Sequence, residues 1–406
     1  MKHVIIGAGA AGITAARTIR DIQPEALIVI VSEEDKIHSR TMIYKYVSGE
    51  RSEESLSFVE KDFFDKNKIE WLGGKSVTSI DTSAKKVLCG DEAISYDKLL
   101  IAGGAVSVAI PIDAFLKSKN VYGFRSLKDA VAIKDVAASA KRAVIIGGGL
   151  VGLDMAYALL KLNIDVTVVE MNPSILSLNF DKKAAKTYQD RFEADGCKFK
   201  LGCRVVDGMR DSNGNIAEVQ LDDGTSLLCD FVVAAAGVRP NIAFLEGSGI
   251  AVTRGITVDK HMQTSAADVY AAGDISGLSG IWPNAMKQGE VAGKNMCGIS
   301  EEYDDLFTAK NTANFFELTT ISLGVLEPAD GDKVEVYDDR RGYRKVILRD
   351  GVVVGIVMQG DVSNDGFWQH LIKNKLRVDN IGKPIWKLSF ADFYAMDERG
   401  NYFYKT

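Results

Sequence analysis

The feature that most limits the folds open to this chain is a glycine pattern that occurs twice, each time between two apolar segments. The first copy, "VIIGAGAAG", places Gly7, Gly9 and Gly12 after an apolar run and before an alanine-rich stretch. A second apolar run, "ALIVIVSEE", follows and ends in Glu33 and Glu34. A strand, a glycine turn, a helix, a strand and an acidic residue in this order predict a dinucleotide-binding βαβ unit.

The second copy is "AVIIGGGLVG", with Gly147, Gly149 and Gly152, and its acid is Glu170 in "DVTVVEMNP". A single pattern of this kind arises by chance in unrelated loops, but here the whole strand–turn–helix–strand–acid context occurs twice. The sequence therefore predicts an α/β protein that binds two dinucleotides. Two dinucleotides in one chain usually serve electron transfer between a nicotinamide and a flavin.

The acid of the second copy indicates which nucleotide binds there. A carboxylate at this position accepts hydrogen bonds from both ribose hydroxyls of NADH and repels the 2′-phosphate of NADPH. Met171, Asn172, Pro173 and Ser174 follow Glu170, so no arginine stands ready to bind that phosphate. We therefore expect NADH at the second site and FAD at the first.

Size and composition set the remaining limits. The chain has 406 residues, too many for one hydrophobic core, and its net charge of -6 argues against a general affinity for nucleic acid or anionic membranes. No apolar stretch reaches the roughly 18 residues that span a bilayer. The first strand starts at the second residue, so we expect no cleavable signal. Five scattered cysteines suit reduced thiols in the cytoplasm and form no cluster for a metal or iron–sulfur centre.

Three further motifs support a specific resemblance. They are "YDKLLIAGGA" at 96–105, "CDFVVAAAGVRPN" at 229–241 and "TSAADVYAAGDI" at 264–275. With the two glycine motifs, they make residues 1–300 resemble the FAD- and NAD-dependent pyridine nucleotide oxidoreductases. Gly103 and Ala236 stand where members of that family usually carry threonine, which removes two hydroxyls from the crossovers.

The resemblance implies two Rossmann-like, three-layer nucleotide-binding domains and a C-terminal α+β domain. The first nucleotide-binding domain would be interrupted by the second. The implied boundaries are 1–110 and 250–305 for the FAD-binding domain, 111–249 for the NAD-binding domain, and 306–406 for a C-terminal domain that covers the flavin and forms interfaces.

The resemblance also implies the residues that hold each cofactor. Asp274 would accept hydrogen bonds from the ribityl hydroxyls, and a helix over 282–296 would direct the positive end of its dipole at the flavin pyrimidine ring. The FAD-binding set is Gly7, Gly9, Ala10, Ala11, Gly12, Glu33, Glu34, Arg40, Lys45, Val77, Ala102, Gly103, Asp274, Ile275, Pro283 and Asn284. The NAD-binding set is Gly147, Gly149, Leu150, Val151, Gly152, Asp154, Glu170 and Gly237.

The stretch "HSRTMIYKYVSG" at 38–49 narrows the chemistry, because it contains no cysteine. Thiol-dependent members of the family carry a cysteine there, and a hydroxyl cannot replace the thiolate that attacks a disulfide. The chain therefore resembles the cysteine-free branch: rubredoxin and ferredoxin reductases, the NADH nitrite reductase flavoprotein and apoptosis-inducing factor. Arg40 and Lys45 keep the arginine–lysine spacing of that branch, although its prolines are absent.

Lys45 and Asp154 are the catalytic candidates. A buried ammonium needs a partner, and the branch usually has glutamate where Asp154 stands. The resemblance implies a Lys45–Asp154 pair near flavin N5, longer or bridged by water because aspartate is one methylene shorter. Its positive charge would favour electrons arriving on the flavin. The alternative is that Lys45 extends into solvent.

The last hundred residues have a different pattern. The alternation in "KVEVYDDRRGYRKVILRDGVVVGIVMQGD" predicts antiparallel strands, and "DGFWQHLIKNKL" predicts a helix with the apolar residues Phe367, Leu371 and Ile372 at helical spacing. Phe315 and Phe316 either close the edge of the flavin site or lie in a strand core. The aromatic-rich segment after Pro384 packs either on its own chain or on a partner protein.

Together these features predict an FAD-dependent NADH:acceptor oxidoreductase. It would move a hydride between nicotinamide and flavin, and exchange electrons with a rubredoxin- or ferredoxin-type partner or with an iron–sulfur subunit of a larger complex. The C-terminal domain could also support a homo- or hetero-oligomer. The alternatives are a peroxide-forming NADH oxidase and a nucleotide-sensing flavoprotein that acts through protein interaction.

Overall fold

The computed structural model describes residues 1–304 and 310–404, which fall into two compact units. The first unit contains Met1–Gly147, Asp154–Val166 and the described part of Val205–Thr308. The second contains Gly148–Leu153, Thr167–Arg204 and the described part of Ala309–Thr406. Within the described ranges, no helix combines the length and apolar character needed to cross a bilayer. The predicted boundary between residues 305 and 306 lies outside these ranges.

Helices and strands alternate along most of the chain. The helices are α1 Ala10–Ile22, α2 Ile43–Val47, α3 Phe63–Lys66, α4 Asp113–Leu116, α5 Leu127–Ala137, α6 Leu150–Lys161, α7 Lys182–Ala194, α8 Trp282–Met296 and α9 Asp365–Lys373. The first strands are β1 Lys2–Ile6, β2 Leu27–Ser32, β3 Ile69–Gly73, β4 Ser79–Asp81, β5 Lys86–Cys89, β6 Glu92–Ser95, β7 Lys98–Ile101, β8 Ala105–Ser107, β9 Val121–Gly123 and β10 Arg142–Ile146. The next are β11 Asp165–Glu170, β12 Lys198–Leu201, β13 Val205–Arg210, β14 Ile216–Leu221, β15 Ser226–Leu228, β16 Phe231–Ala234, β17 Val238–Pro240 and β18 Val269–Ala271. The last are β19 Lys310–Phe315, β20 Leu318–Gly324, β21 Lys333–Asp339, β22 Gly342–Arg349, β23 Val352–Gly360, β24 Tyr394–Met396 and β25 Tyr402–Tyr404.

A parallel sheet forms the centre of the first unit, with strand order β18-β7-β1-β2-β3. Its central strands are apolar and buried, as strands covered on both faces must be. Because the strands are parallel, the residues that follow β1, β2, β7 and β18 meet at one edge of the sheet. The glycine turn, the acids after β2 and the "AGG" and "AAGD" turns therefore converge.

Helices α1 and α8 pack closely together in the first unit. A Cβ atom on Gly289 of α8 would lie 2.2 Å from the carbonyl oxygen of Ala11, so only glycine permits this approach. In the same unit, β10 pairs in parallel with β16, and β16 pairs in parallel with β9. The parallel strands and their helices confirm the predicted α/β class.

The second unit joins the parallel pair β11–β12 and helix α7 to an antiparallel sheet of order β19-β20-β23-β22-β21. The predicted antiparallel strands and the predicted helix, α9, are confirmed. The hydroxyl oxygen of Tyr188 on α7 lies 2.7 Å from the carbonyl oxygen of Leu318 and 3.0 Å from that of Ala313, so its single proton can be donated to either. Phe315 is buried with its ring 5.4 Å from that of Tyr188, so Phe315 occupies the strand core.

Candidate functional site

A cavity of about 1100 Å³ lies at the carboxyl edge of the parallel sheet in the first unit. Most of the residues expected to hold FAD line it. These are Gly7, Gly9, Ala10, Ala11, Glu33, Glu34, Arg40, Val77, Ala102, Gly103 and Asp274. Gly12, Lys45, Ile275, Pro283 and Asn284 are not among its lining residues.

The three glycines of the first turn have different surroundings. Gly7 has a φ of +98°, and a Cβ atom there would lie 2.3 Å from the carbonyl oxygen of Ala102. A Cβ atom on Gly12 would lie 2.0 Å from the carbonyl oxygen of Gly7. Around Gly9, the described part of the chain leaves 4 Å of open space. Gly7 and Gly12 are thus required by the protein's own packing, whereas Gly9 leaves room for a ligand.

The two acids after β2 differ in their partners. Glu33 is exposed, whereas the Oε2 atom of Glu34 accepts a hydrogen bond from Nη2 of Arg40 at 2.9 Å. Nη1 of Arg40 donates to the carbonyl of Arg125 at 3.0 Å, and burial lowers the pKa of the Arg40 guanidinium. The Nε2 atom of His38 lies 3.5 Å from Oε1 of Glu34, and burial lowers the pKa of that imidazole. Oε2 of Glu34 is therefore engaged by Arg40, whereas its Oε1 atom has no hydrogen-bond partner among the described residues and Glu33 is exposed.

Arg125 is a site residue that the sequence patterns did not reveal. It lines the cavity, and its Nη2 atom lies 2.5 Å from Oδ2 of Asp274. Its Nε atom donates to the carbonyl of Ala105 at 2.8 Å. The only local signal is the capping box of Ser126 and Asp129, which predicts where α5 begins but not what the preceding arginine contacts.

Helix α8 contacts the turn that follows β18. Gln288 is fully buried, and its Oε1 atom accepts a hydrogen bond from the backbone N–H of Gly273 at 2.8 Å. The side-chain amide nitrogens of Asn284 and Gln288 are buried and have no hydrogen-bond partner within the described residues. Buried donors of this kind are normally satisfied, so they indicate a missing ligand or water.

Lys45 and Asp154 lie in the first unit on α2 and α6. Lys45 is half-buried, with its ammonium 5.8 Å from the centre of the Tyr44 ring. Burial raises the pKa of the Asp154 carboxyl to about 8, and the positive charge of Lys45 opposes this shift. In the described ranges no carboxylate lies within 4.0 Å of the Lys45 ammonium, so the two charges interact without forming a contact ion pair.

In the second glycine turn, as in the first, one glycine is required by the protein's own packing and others leave room for a ligand. Gly147, in the first unit, has a φ of +115°, and a Cβ atom there would lie 2.4 Å from the carbonyl oxygen of Ala235. In the second unit, a Cβ atom on Gly149 would meet no described atom within 4 Å. Gly237 follows β16 with a φ of +107° and is equally open among the described atoms. Leu150, Val151, Gly152 and Asp154 form the start of α6.

Glu170 ends β11 in the second unit and is held by nearby N–H groups. Its Oε2 atom accepts from the backbone N–H of Gly148 at 2.7 Å. Its Oε1 atom accepts from both the backbone and the side-chain amide of Asn172, each at 2.8 Å. A Cβ atom on Gly148 would lie 3.1 Å from the Cβ atom of Glu170, so glycine allows the acid to approach the turn.

Known protein families, sequences and solved structures include several that are similar to this chain. Residues 1–289 match the pyridine nucleotide-disulphide oxidoreductase family, and residues 310–376 match the rubredoxin NAD+ reductase C-terminal domain. The chain is 33% identical over 404 residues to the NADH-dependent phenylglyoxylate dehydrogenase subunit epsilon of Aromatoleum evansii, with 95% of each chain covered. It is 29% identical to the nitrite reductase [NAD(P)H] of Bacillus subtilis, and the match covers 94% of this chain.

The match covers only 48% of the Bacillus subtilis protein, so the chain spans about half the length of that relative. Among solved structures, the covalent putidaredoxin reductase–putidaredoxin complex aligns with a TM-score of 0.83 at 26% identity, covering 93% of this chain and 94% of the matched chain. The chain therefore belongs to the pyridine nucleotide-disulphide oxidoreductase family, and FAD and NADH are the cofactors that this membership implies.

Proposed function

We propose that this chain is an FAD-dependent NADH:acceptor oxidoreductase that exchanges electrons with a partner protein. The observation that carries the proposal is the large cavity at the edge of the parallel sheet, because no cysteine is among the described residues that line it. Without a thiol beside the flavin, electrons cannot be passed to an internal disulfide. They must be exchanged with an acceptor or donor outside the chain.

The residues of the cavity fit FAD. The open space at Gly9 suits a pyrophosphate close to the backbone, and the exposed carboxylate of Glu33 suits a ribose diol. Asp274, fixed by Arg125, supplies acceptors for a polyol chain. Outside the residues that line the cavity, the side-chain amide nitrogen of Asn284 at the start of α8 is a buried donor without a hydrogen-bond partner among the described residues. FAD, when bound, supplies the ring that accepts a hydride.

We assign Lys45 and Asp154 to the control of charge beside that ring. Because the carboxyl of Asp154 has a pKa of about 8, it is mainly protonated at neutral pH and does not itself neutralise the positive charge of Lys45. Such a charge favours electrons that arrive nearby, and the protonated carboxyl holds a proton in reserve. This refines the ion pair implied by the resemblance: the shorter aspartate acts at a distance and in its neutral form.

The same proposal includes the domain organisation and the cellular compartment. Residues 1–110 and 250–305 would bind FAD, 111–249 would bind NADH, and 306–406 would cover the flavin and contact partners. Five free cysteines suit a reducing cytoplasm.

The proposed partner is a small redox protein of the rubredoxin or ferredoxin type, or an iron–sulfur subunit. Two similarities support it. A relative that matches along nearly its whole length is named as one subunit of a dehydrogenase, and a similar structure is a covalent complex with putidaredoxin. Because the relatives include both long proteins and separate subunits, the partner could be another chain of one assembly.

Anaerobic stopped-flow spectroscopy tests this function. NADH should bleach the visible absorbance of the oxidised flavin, because the ring accepts a hydride. The reduced protein should then be reoxidised faster by rubredoxin or ferredoxin than by air. Fast reoxidation by air with release of peroxide would indicate an NADH oxidase instead. A purified chain that takes up no FAD, or whose FAD stays oxidised under NADH, would refute the proposal.

A further inference from the structure

The carboxylate of Glu170 is almost saturated with hydrogen bonds before any nucleotide binds. A carboxylate has about four acceptor sites, two on each oxygen. Within the described residues, Glu170 receives three N–H groups: Gly148 N on Oε2, and Asn172 N and Nδ2 on Oε1. Oε1 is therefore full, and one site remains on Oε2.

This count conflicts with the role expected of Glu170, which is to accept hydrogen bonds from both hydroxyls of an adenosine ribose. Two hydroxyl donors need two free acceptor sites, and only one is free. One of the three N–H groups must therefore leave when the nucleotide binds.

The side-chain amide of Asn172 is the donor that can leave. The N–H of Gly148 belongs to a turn that is itself fixed, since the Gly148 carbonyl accepts from Leu176 N at 2.9 Å. The backbone N–H of Asn172 is held two residues from Glu170 by the chain. The Asn172 side chain is exposed and reaches water by rotating its own torsions, without moving the backbone.

We infer that the Asn172 side-chain amide occupies a ribose-hydroxyl position on Glu170 and releases it when NADH binds. Asn172 is thus a positioning residue that weakens nucleotide affinity, acting through Glu170. The inference rests on the proposed NADH site and adds to it the residue that competes with the ribose. Removing this amide should strengthen binding, because the two backbone N–H groups still orient both oxygens of Glu170.

The test is calorimetric titration of the FAD-loaded protein with NAD⁺, which carries the same adenosine ribose and does not reduce oxidised flavin. Asn172→Ala should lower the Kd for NAD⁺ by about two- to tenfold, the range set by one net hydrogen bond. Asn380→Ala, which alters another exposed asparagine of the same unit, should leave the Kd unchanged. Flavin spectra and unfolding midpoints of both variants report that the fold is intact.

Two analogues distinguish competition from a general structural effect. They are NAD⁺ lacking the 2′- or the 3′-hydroxyl of the adenosine ribose. The tightening caused by Asn172→Ala should disappear with the analogue that lacks the hydroxyl bound by Oε1. Tightening that persists with both analogues, or weaker NAD⁺ binding by Asn172→Ala, would overturn the inference. If the wild-type protein bound no NAD⁺ and no NADH, the proposed function would fail instead.

Discussion

The Nη2 atom of Arg125 lies 2.5 Å from Oδ2 of Asp274, although the two residues are 149 positions apart in the chain. The backbone carbonyl of the same Arg125 accepts a hydrogen bond from Arg40, which in turn pairs with Glu34. One residue thus fixes two charged side chains on the wall of the cavity. The orientation of Asp274, expected to bind the ribityl chain, depends on this arrangement.

Arg125→Gln should therefore lower the affinity for FAD. Glutamine keeps much of the length but removes the charge, and a partly buried carboxylate left unpaired costs about 1–3 kcal/mol. We expect roughly a tenfold or greater rise in the Kd for FAD, measured by reconstituting the flavin-stripped chain. Arg142→Gln is the matched control, because Arg142 pairs with Asp230 in the same unit. Equal FAD retention by both variants would contradict the role of Arg125.

The glycines of the first turn give a second prediction: an added methyl group should destabilise the fold at one position and prevent FAD binding at another. A Cβ atom on Gly12 overlaps the Gly7 carbonyl at 2.0 Å, so Gly12→Ala should destabilise the folded chain by several kcal/mol, as a clash with backbone does. Gly9 has a φ of -79° and open space, so Gly9→Ala should fold normally. It should lose FAD, because the methyl group takes the place of the pyrophosphate.

Flavin content and urea unfolding, measured on both variants, check this pair. The result that would count against the assignment is Gly9→Ala with a full complement of FAD. Gly149→Ala serves as the parallel case in the second turn: it should keep FAD and lose NADH.

These glycines also show which parts of the site the sequence could predict. The turns around Gly7 and Gly147 are local, since strand, turn and helix follow one another within a few residues. Pairs such as Arg125 and Asp274 depend on the order of strands in the sheet, which no short pattern encodes. Burial by residues distant in sequence raises the pKa of the Asp154 carboxyl, and no short pattern encodes that burial, so the sequence predicted a Lys45–Asp154 pair but not the raised pKa.

Lys45→Met tests the charge beside the flavin. Methionine keeps the apolar stem and removes the positive charge, so the flavin should become harder to reduce and hydride transfer from NADH should slow by about tenfold or more. The pKa of Asp154 should rise further, because Lys45 now lowers it. Stopped-flow reduction rates and the flavin midpoint potential are the measurements.

The control for Lys45 is Lys161→Met, which removes a neighbouring cation that is already paired with Glu50 at 2.5 Å. That variant should change neither quantity much. If Lys45→Met behaved like Lys161→Met, the ammonium of Lys45 would have no part in flavin reduction.

The raised pKa of Asp154 also predicts how stability depends on pH. The carboxyl has a pKa of about 8 in the folded chain and about 3.9 in an unfolded one. Between these values the folded state binds one more proton than the unfolded state. The free energy of unfolding therefore falls as the pH rises through this window, by at most about 1.4 kcal/mol per pH unit.

Asp154→Asn should remove this contribution, because the amide mimics the neutral carboxyl and does not titrate. The variant should gain stability relative to the wild type as the pH increases from about 5 to about 8, with the difference levelling off above the folded-state pKa. Urea unfolding across this range measures the difference, and Asp91→Asn, at an exposed position in the same unit, is the control. Parallel curves for wild type and Asp154→Asn would mean that Asp154 is already ionised in the folded protein. The proposal that the Asp154 carboxyl is neutral and does not neutralise the positive charge of Lys45 would then have to be abandoned.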